Sequence, residues 1–180
     1  SSPTSASSAV PLPEAIYAPR RVVRPAAAAP PPAVPPVAVE RCPLQQEGIG
    51  GSWQEALSLK ELQRLIQSCR RCQLAEGRTN LVFGTGDPRA RIMFVGEGPG
   101  FYEDQQGIPF VGQAGQFLDQ LLTSIGLRRD EVYIANCVKC RPPGNRDPLP
   151  EELDACTPFL FKQVELVDPR IICTLGNFAT

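Results

Sequence analysis

Seven cysteines and no histidine in 180 residues define the chemistry open to this chain. Cys69 and Cys72 form one Cys-x2-Cys pair, Cys137 and Cys140 form another, and Cys156 lies farther along. Such spacing brings two sulfurs to one centre, and thiolate is the soft ligand that zinc and iron-sulfur clusters both prefer. Two groupings are open. Cys69, Cys72, Cys137 and Cys140 would make a four-thiolate zinc ribbon. Cys69, Cys72, Cys140 and Cys156 would instead bracket the proline-rich loop from Arg141 to Pro148. Strand alternation favours the second, because Cys137 falls inside an expected strand and Cys140 beyond its end, while spacing alone leaves both standing. Cys42 and Cys173 have structural or incidental readings. The odd count, the clustering in pairs and the lack of a signal peptide favour a reducing compartment over a disulfide framework. With no histidine, imidazole bases, His-based triads and Cys2His2 sites are excluded within this chain.

A second constellation surrounds the turn Gly96-Glu97-Gly98-Pro99-Gly100. It lacks the wider glycine spacing of dinucleotide folds and the Gly-Lys-Ser/Thr ending of a P-loop, and Glu97 at its centre would repel phosphate. Alone it reads equally as a tight strand-to-helix connection. Its neighbours change the reading. Glu97, Glu103, Asp104, Phe110 and Asn136 supply carboxylates, an aromatic face and an amide with both donor and acceptor, the parts needed to hold a planar heterocycle by stacking and edge hydrogen bonds. The ordinary alternatives are core packing for Phe110, a strand-end cap for Asn136 and a solvated loop for Glu103 and Asp104.

The elements that must position these groups follow from pattern. Ser52, three residues before Glu55, reads as a capping box opening a helix whose buried face carries Leu57, Leu62, Leu65 and Ile66, with Cys69 and Cys72 delivered at its end. Arg91 to Val95 is a short apolar strand. Phe117, Leu118, Leu121, Leu122 and Ile125 repeat at helical spacing before Gly126. Val132 to Val138 is a second strand, Pro150 through Val167 a helix, and Arg170 to Leu175 a third strand ending at Gly176. This alternation predicts an α/β fold, a three-layer α/β/α arrangement around a central, mainly parallel sheet. Ligands in such sheets sit at the carboxyl ends of the strands, where Gly96 to Gly100, Asn136 and Gly176 fall.

Residues 1–51 are rich in Pro, Ala and Ser and cannot bury enough apolar area to offset their ordering entropy, so a disordered tail precedes one domain over 52–180. Arg20, Arg21 and Arg24 also suit an organellar transit peptide, the alternative to a plain tail in a cytoplasmic, bacterial-type protein. The formal net charge of −1 neither supports nor excludes nucleic acid. No run reaches the roughly 20 apolar residues of a membrane span, so no membrane partner is expected. Gly176-Asn177-Phe178-Ala179-Thr180 reads as the opening of a helix cut short, which predicts a C-terminally truncated domain.

Several motifs occur in order: Cys69-x2-Cys72, Val82-Phe83-Gly84, Gly96-Glu97-Gly98-Pro99-Gly100, Gly107-Ile108-Pro109-Phe110-Val111-Gly112, Asn136, Lys139-Cys140-Arg141-Pro142-Pro143 with Asn145-Arg146, and Cys156. Together they closely resemble family 4 uracil-DNA glycosylases, the iron-sulfur branch of that superfamily, over about Leu59 to Thr180. The resemblance implies a monomeric DNA-repair enzyme that hydrolyses the N-glycosidic bond of deoxyuridine in uracil-containing DNA. It implies a 4Fe-4S cluster on Cys69, Cys72, Cys140 and Cys156, with Cys137 a buried strand residue. Phe110 would stack on the flipped uracil and Asn136 would hydrogen-bond its polar edge. Backbone groups at Glu97 and Gly98 would line the same pocket, and Glu103 would limit room beside the uracil C5 position. Arg141 and Arg146 would contact phosphates from a loop shaped by the cluster. Two departures stand out. Relatives carry a downstream His-Pro segment, absent here, that bonds uracil O2, so this polypeptide is expected to be impaired. Phe101-Tyr102 replaces an expected acidic pair after the glycine turn. A non-catalytic nucleic-acid-binding or polymerase-associated domain, and a zinc-ribbon module, are the other readings.

Overall fold

Alternation of apolar side chains sets up the layers. In the computed structural model, which describes residues 52–180, strands β1 (Thr85–Gly86), β2 (Ile92–Gly96), β3 (Tyr133–Asn136) and β4 (Ile171–Thr174) form one sheet in the order β1-β3-β2-β4. β2 pairs in parallel with both β3 and β4, while β1 runs antiparallel to β3. Met93 and Val95 of β2, with Tyr133 and Ala135 of β3, face a core that includes Leu160 and Val167. The intervening Ile92, Phe94 and Ile134 face the opposite core, with Leu118 and Leu122. Period-2 strands therefore bury both surfaces, one against α5 (Pro150–Val167) and the other against α4 (Gln113–Ser124), giving the three expected layers. The sheet has an antiparallel edge. β1 is too short to show a period, and Gly86 lets it approach β3, since a Cβ there would lie 1.8 Å from the Val132 carbonyl oxygen.

The connection from β2 to β3 passes through α3 (Phe101–Gln106) and α4, whereas β3 to β4 returns across β2 through α5. The chain thus leaves β2 toward one neighbour and comes back to the other. This reversal opens a crevice at the carboxyl ends of β2 and β3.

The helical entry differs from expectation. Ser52 precedes only a 3-10 turn, Trp53–Glu55, and α1 (Leu59–Ile66) is capped six residues later by Ser58. The Ser58 hydroxyl accepts from Glu61 N–H at 3.2 Å, and the Glu61 carboxylate reaches one residue past the cap to accept from Leu57 N–H at 2.9 Å. Leu57 is accordingly outside the helix and 88% exposed. α1 ends before Cys69, which bonds back to the Ile66 carbonyl, and Cys72 precedes the short α2 (Leu74–Gly77). On α4 only Leu118 and Leu122 of the expected stripe are buried; Phe117, Leu121 and Ile125 are exposed. Residues 176–180 are not helical, and the Thr180 hydroxyl bonds back to the Gly176 carbonyl at 3.0 Å. The expected tail and Cys42 lie outside the described residues. Among those residues no helix is long and apolar enough to cross a membrane.

Candidate functional site

Strand register brings Gly96 level with Asn136, at the carboxyl ends of adjacent parallel strands. A Cβ on Gly96 would lie 2.5 Å from both Asn136 Oδ1 and Phe110 Cζ, so the missing side chain is what lets the ring and the amide meet. Asn136 is 2% exposed and its Oδ1 has no hydrogen-bond partner, although a buried acceptor left unpaired is costly. Phe110 has φ +54°, an uncommon conformation for a bulky residue. It is held there on three sides. Gly115 of α4 admits the Phe110 carbonyl where any Cβ would collide, Arg129 donates to the Pro109 carbonyl, and Glu103 Oε1 accepts from Val111 N–H at 2.9 Å and Gly112 N–H at 2.8 Å. Strain retained at a cleft wall marks a site where orientation matters. The cleft, of about 320 Å³, is lined by Gly98, Glu103, Phe110 and Asn136, with Phe101, Tyr102 and Asn145 on its border.

A second cavity is lined by Cys69, Cys72, Cys140 and Cys156 together with Arg71, Arg78 and Lys139. Cys137 is not among them. It packs in the α5-facing core and donates its thiol to the Phe178 carbonyl at 3.4 Å, because alternation turns it away from Cys140. Lys139 N–H donates to Cys156 Sγ at 3.2 Å and Arg78 Nη1 to Cys140 Sγ at 3.2 Å, the contacts that stabilise a thiolate. Arg71 Nη1 is buried without an acceptor, its guanidinium resting 5.3 Å from the Phe159 ring. Burial pushes the Cys156 thiol up to about 12 despite the nearby Lys139 charge. A soft donor set with cationic neighbours fits a metal centre that draws off thiol protons as it binds. Among the described residues no three Cys, His, Asp or Glu side chains close on one point as a single-ion site requires.

A description of the Uracil DNA glycosylase superfamily matches residues 83–180, more than half of the chain. The chain belongs to the uracil-DNA glycosylase superfamily. It is 53% identical over 122 residues to a Type-4 uracil-DNA glycosylase of Archaeoglobus fulgidus, covering 68% of this chain and 61% of that protein. The Type-4 uracil-DNA glycosylase of Sulfurisphaera tokodaii is 52% identical over 124 residues, covering 68% and 56%, and that of Thermotoga maritima 53% over 114 residues, covering 63% and 59%. The chain thus spans roughly three-fifths of the length of these relatives.

Within this superfamily member the remaining expected residues are placed as follows. Gly98 lines the cleft, and a Cβ there would lie 2.7 Å from Val138 Cγ2. Glu97 does not line it: its carbonyl accepts from Val138 N–H, and burial, then Asp147, raises its carboxyl pKa. Gly176 is also absent from the lining. Glu103 reaches the cleft, but its carboxylate is engaged with the Phe110 loop. Asp104 is buried, neither solvated nor in the cleft, and accepts from Thr79 N–H at 2.8 Å. Arg141 donates to Asn145 Oδ1 at 2.7 Å. Arg146 is committed inward, with two nitrogens on the buried Glu152 carboxylate at 2.7 and 2.9 Å, because the opening turn of α5 needs that carboxylate fixed.

Sequence reasoning missed Lys139. It is 1% exposed, and its ammonium donates to the Asn136 carbonyl at 2.7 Å and to Gln163 Oε1. Gln163 in turn donates to the Phe83 carbonyl and to the Tyr133 hydroxyl. This buried polar chain joins the thiol cavity to the strand end that carries Asn136. Its signal was a lysine placed between Cys137 and Cys140 directly after an apolar strand, a position where a charge needs buried partners.

Proposed function

We propose that this protein is a DNA-repair glycosylase that hydrolyses the bond between uracil and deoxyribose in DNA. The observation that carries this reading is the buried Asn136 Oδ1, without a hydrogen-bond partner, beside the Phe110 ring. Uracil presents a polar edge with an N3–H donor between two carbonyl acceptors, so Asn136 Oδ1 accepts from N3–H while its amide N–H donates to O4. Phe110 stacks on the base. A water oxygen bonds to the sugar C1′ as the C1′–N1 bond breaks, and the water's remaining proton ends on solvent or on uracil. Negative charge moves onto the base as this occurs, so a hydrogen bond to its carbonyl strengthens in the transition state and lowers the barrier. Glu103 and Gly115 act through Phe110 by holding its loop. Identity of about half to the Type-4 enzymes supports the substrate.

The thiol cavity supports a 4Fe-4S cluster on Cys69, Cys72, Cys140 and Cys156. Four thiols lining one cavity beside Arg78 and Lys139 are the soft, cation-flanked donor set that such a cluster takes. When bound, the cluster supplies cross-links between the loop after α1, the end of the β3 segment and α5. Lys139 then carries that order to Asn136.

The test is uracil release from an oligonucleotide containing one deoxyuridine, measured with the full-length protein. Asn136→Asp is expected to lower excision by about 1 to 3 kcal/mol or more in activation free energy, because a carboxylate cannot donate to uracil O4. Phe110→Ala is expected to cost about 1 to 3 kcal/mol through lost stacking. Parent-like rates in both variants would show that this cleft is not the base pocket.

A further inference from the structure

Phe101 and Tyr102 have no part in holding uracil as described above, yet they are 48% and 60% exposed at the border of the same cleft. Two large aromatic side chains in water beside a pocket are unusual unless something covers them. Their rings meet edge to face, with centroids 5.5 Å apart, so each fixes the other while both stay partly open to solvent. Tyr102 leans toward Gly112 on the Phe110 loop, since a Cβ at Gly112 would lie 3.6 Å from Tyr102 Cδ2. The Arg141 guanidinium stands over the Phe101 ring, 5.1 Å from its centroid, held by its bond to Asn145. The border therefore combines π-faces with a cation, continuous with the cleft that holds Phe110 and Asn136.

We infer that Phe101 and Tyr102 form a stacking platform for the nucleotide next to the deoxyuridine, with Arg141 on its phosphate. The inference rests on the glycosylase reading and adds a preference to it. Inside a duplex the neighbouring base is held by its own pairing and by the stack on its far side, so it cannot swing out onto the platform. A platform beside the pocket gains contact only when that neighbour is also unstacked, as in single-stranded or gapped DNA. Base-on-ring stacking tolerates any sequence, because every base has a π-face. The surface thus favours single-stranded substrate without a preference for the flanking base.

The experiment measures affinity of the full-length protein for single-stranded and duplex oligonucleotides carrying a hydrolysis-resistant 2′-fluoro-deoxyuridine, and inhibition by free uracil. The Phe101→Ala/Tyr102→Ala double variant is expected to bind the single strand roughly 10-fold or more weakly, to change little on duplex, and to keep parent-like inhibition by free uracil. Phe101→Tyr should restore most of the loss attributable to position 101. Arg141→Gln should flatten the salt dependence of single-strand binding by about one phosphate, a slope change of roughly 0.7. Unchanged single-strand affinity in the double variant would overturn the platform and leave the pair for a protein partner. Equal losses on both substrates would overturn the single-strand preference. A parent protein that neither excises uracil nor is inhibited by it would instead sink the glycosylase reading beneath both.

Discussion

At position 96 a hydrogen in place of a methyl group decides whether an aromatic ring and an amide share one pocket. Gly96→Ala places a carbon 2.5 Å from Asn136 Oδ1 and from the Phe110 ring, so one of the two must shift. The ring is the softer of the two, so it should tilt out of the stacking position while the sheet persists. We expect uracil excision to fall by about 100-fold, the scale of an ångström-sized misplacement at a reacting centre, with little change in melting temperature. Single-turnover excision and thermal unfolding of the same sample check this. A parallel collapse of both would show that the position serves the core rather than the pocket. Residue 136 had a legible type but not a legible environment: sequence supplied an amide at a strand end, and only its burial without an acceptor turned it into a recognition group.

Short elements are positioned here by single carboxylates. Glu103 on α3 holds the backbone N–H groups of Val111 and Gly112, which fixes the loop that presents Phe110. Glu103→Ala should therefore speed amide exchange at Val111 and Gly112 and lower excision by about 10-fold, an indirect effect through a misplaced ring. Hydrogen exchange by mass spectrometry separates this from a direct substrate contact, which would change activity and leave exchange as it was. Glu152 does similar service for α5, bonding Leu149 N–H and Arg146. The Arg146 hydrogen bond holds its carboxyl below the usual range, more than offsetting burial. A depressed carboxylate contributes stability that is present above the unfolded pKa of about 4.3 and lost as pH falls through the lower folded value. Melting temperature should drop across that acid window, and Glu152→Gln should lose less of its stability there. An unchanged acid limb in the variant would assign the effect to other carboxylates.

Across the molecule, the thiol cavity and the base cleft are joined through Lys139, which lines the first and bonds the carbonyl of Asn136 in the second. Cys156→Ser should abolish the iron-sulfur colour and remove most of the expected four iron per chain, whereas Cys137→Ser should keep both. Loss of iron with Cys137→Ser alone would restore the zinc-ribbon grouping. Iron removal should also loosen the Asn136 to Cys140 segment, since Lys139 and Cys140 are neighbours in chain and cavity.

Element types were mostly legible because they rest on local rules. Strand alternation at 92–96 and 133–136, the proline start and 18-residue run of α5, and the glycine stop after α4 each need only neighbouring residues to be read. The misplaced helix start shows the limit of the same logic, since Ser52 with Glu55 and Ser58 with Glu61 have identical spacing. Packing of Leu62 and Ile66 against Phe159 chose between them. The four cysteines, the glycine turn, Phe110 and Asn136 could be named from the sequence as parts. Their assembly could not be read there, because it depends on strand register, on the reversal of direction at β2 and on a buried lysine bonded to a carbonyl three residues away. Local propensity acts along the chain, whereas the cleft is made by contacts between distant segments, and only the folded packing fixes which of those contacts exist.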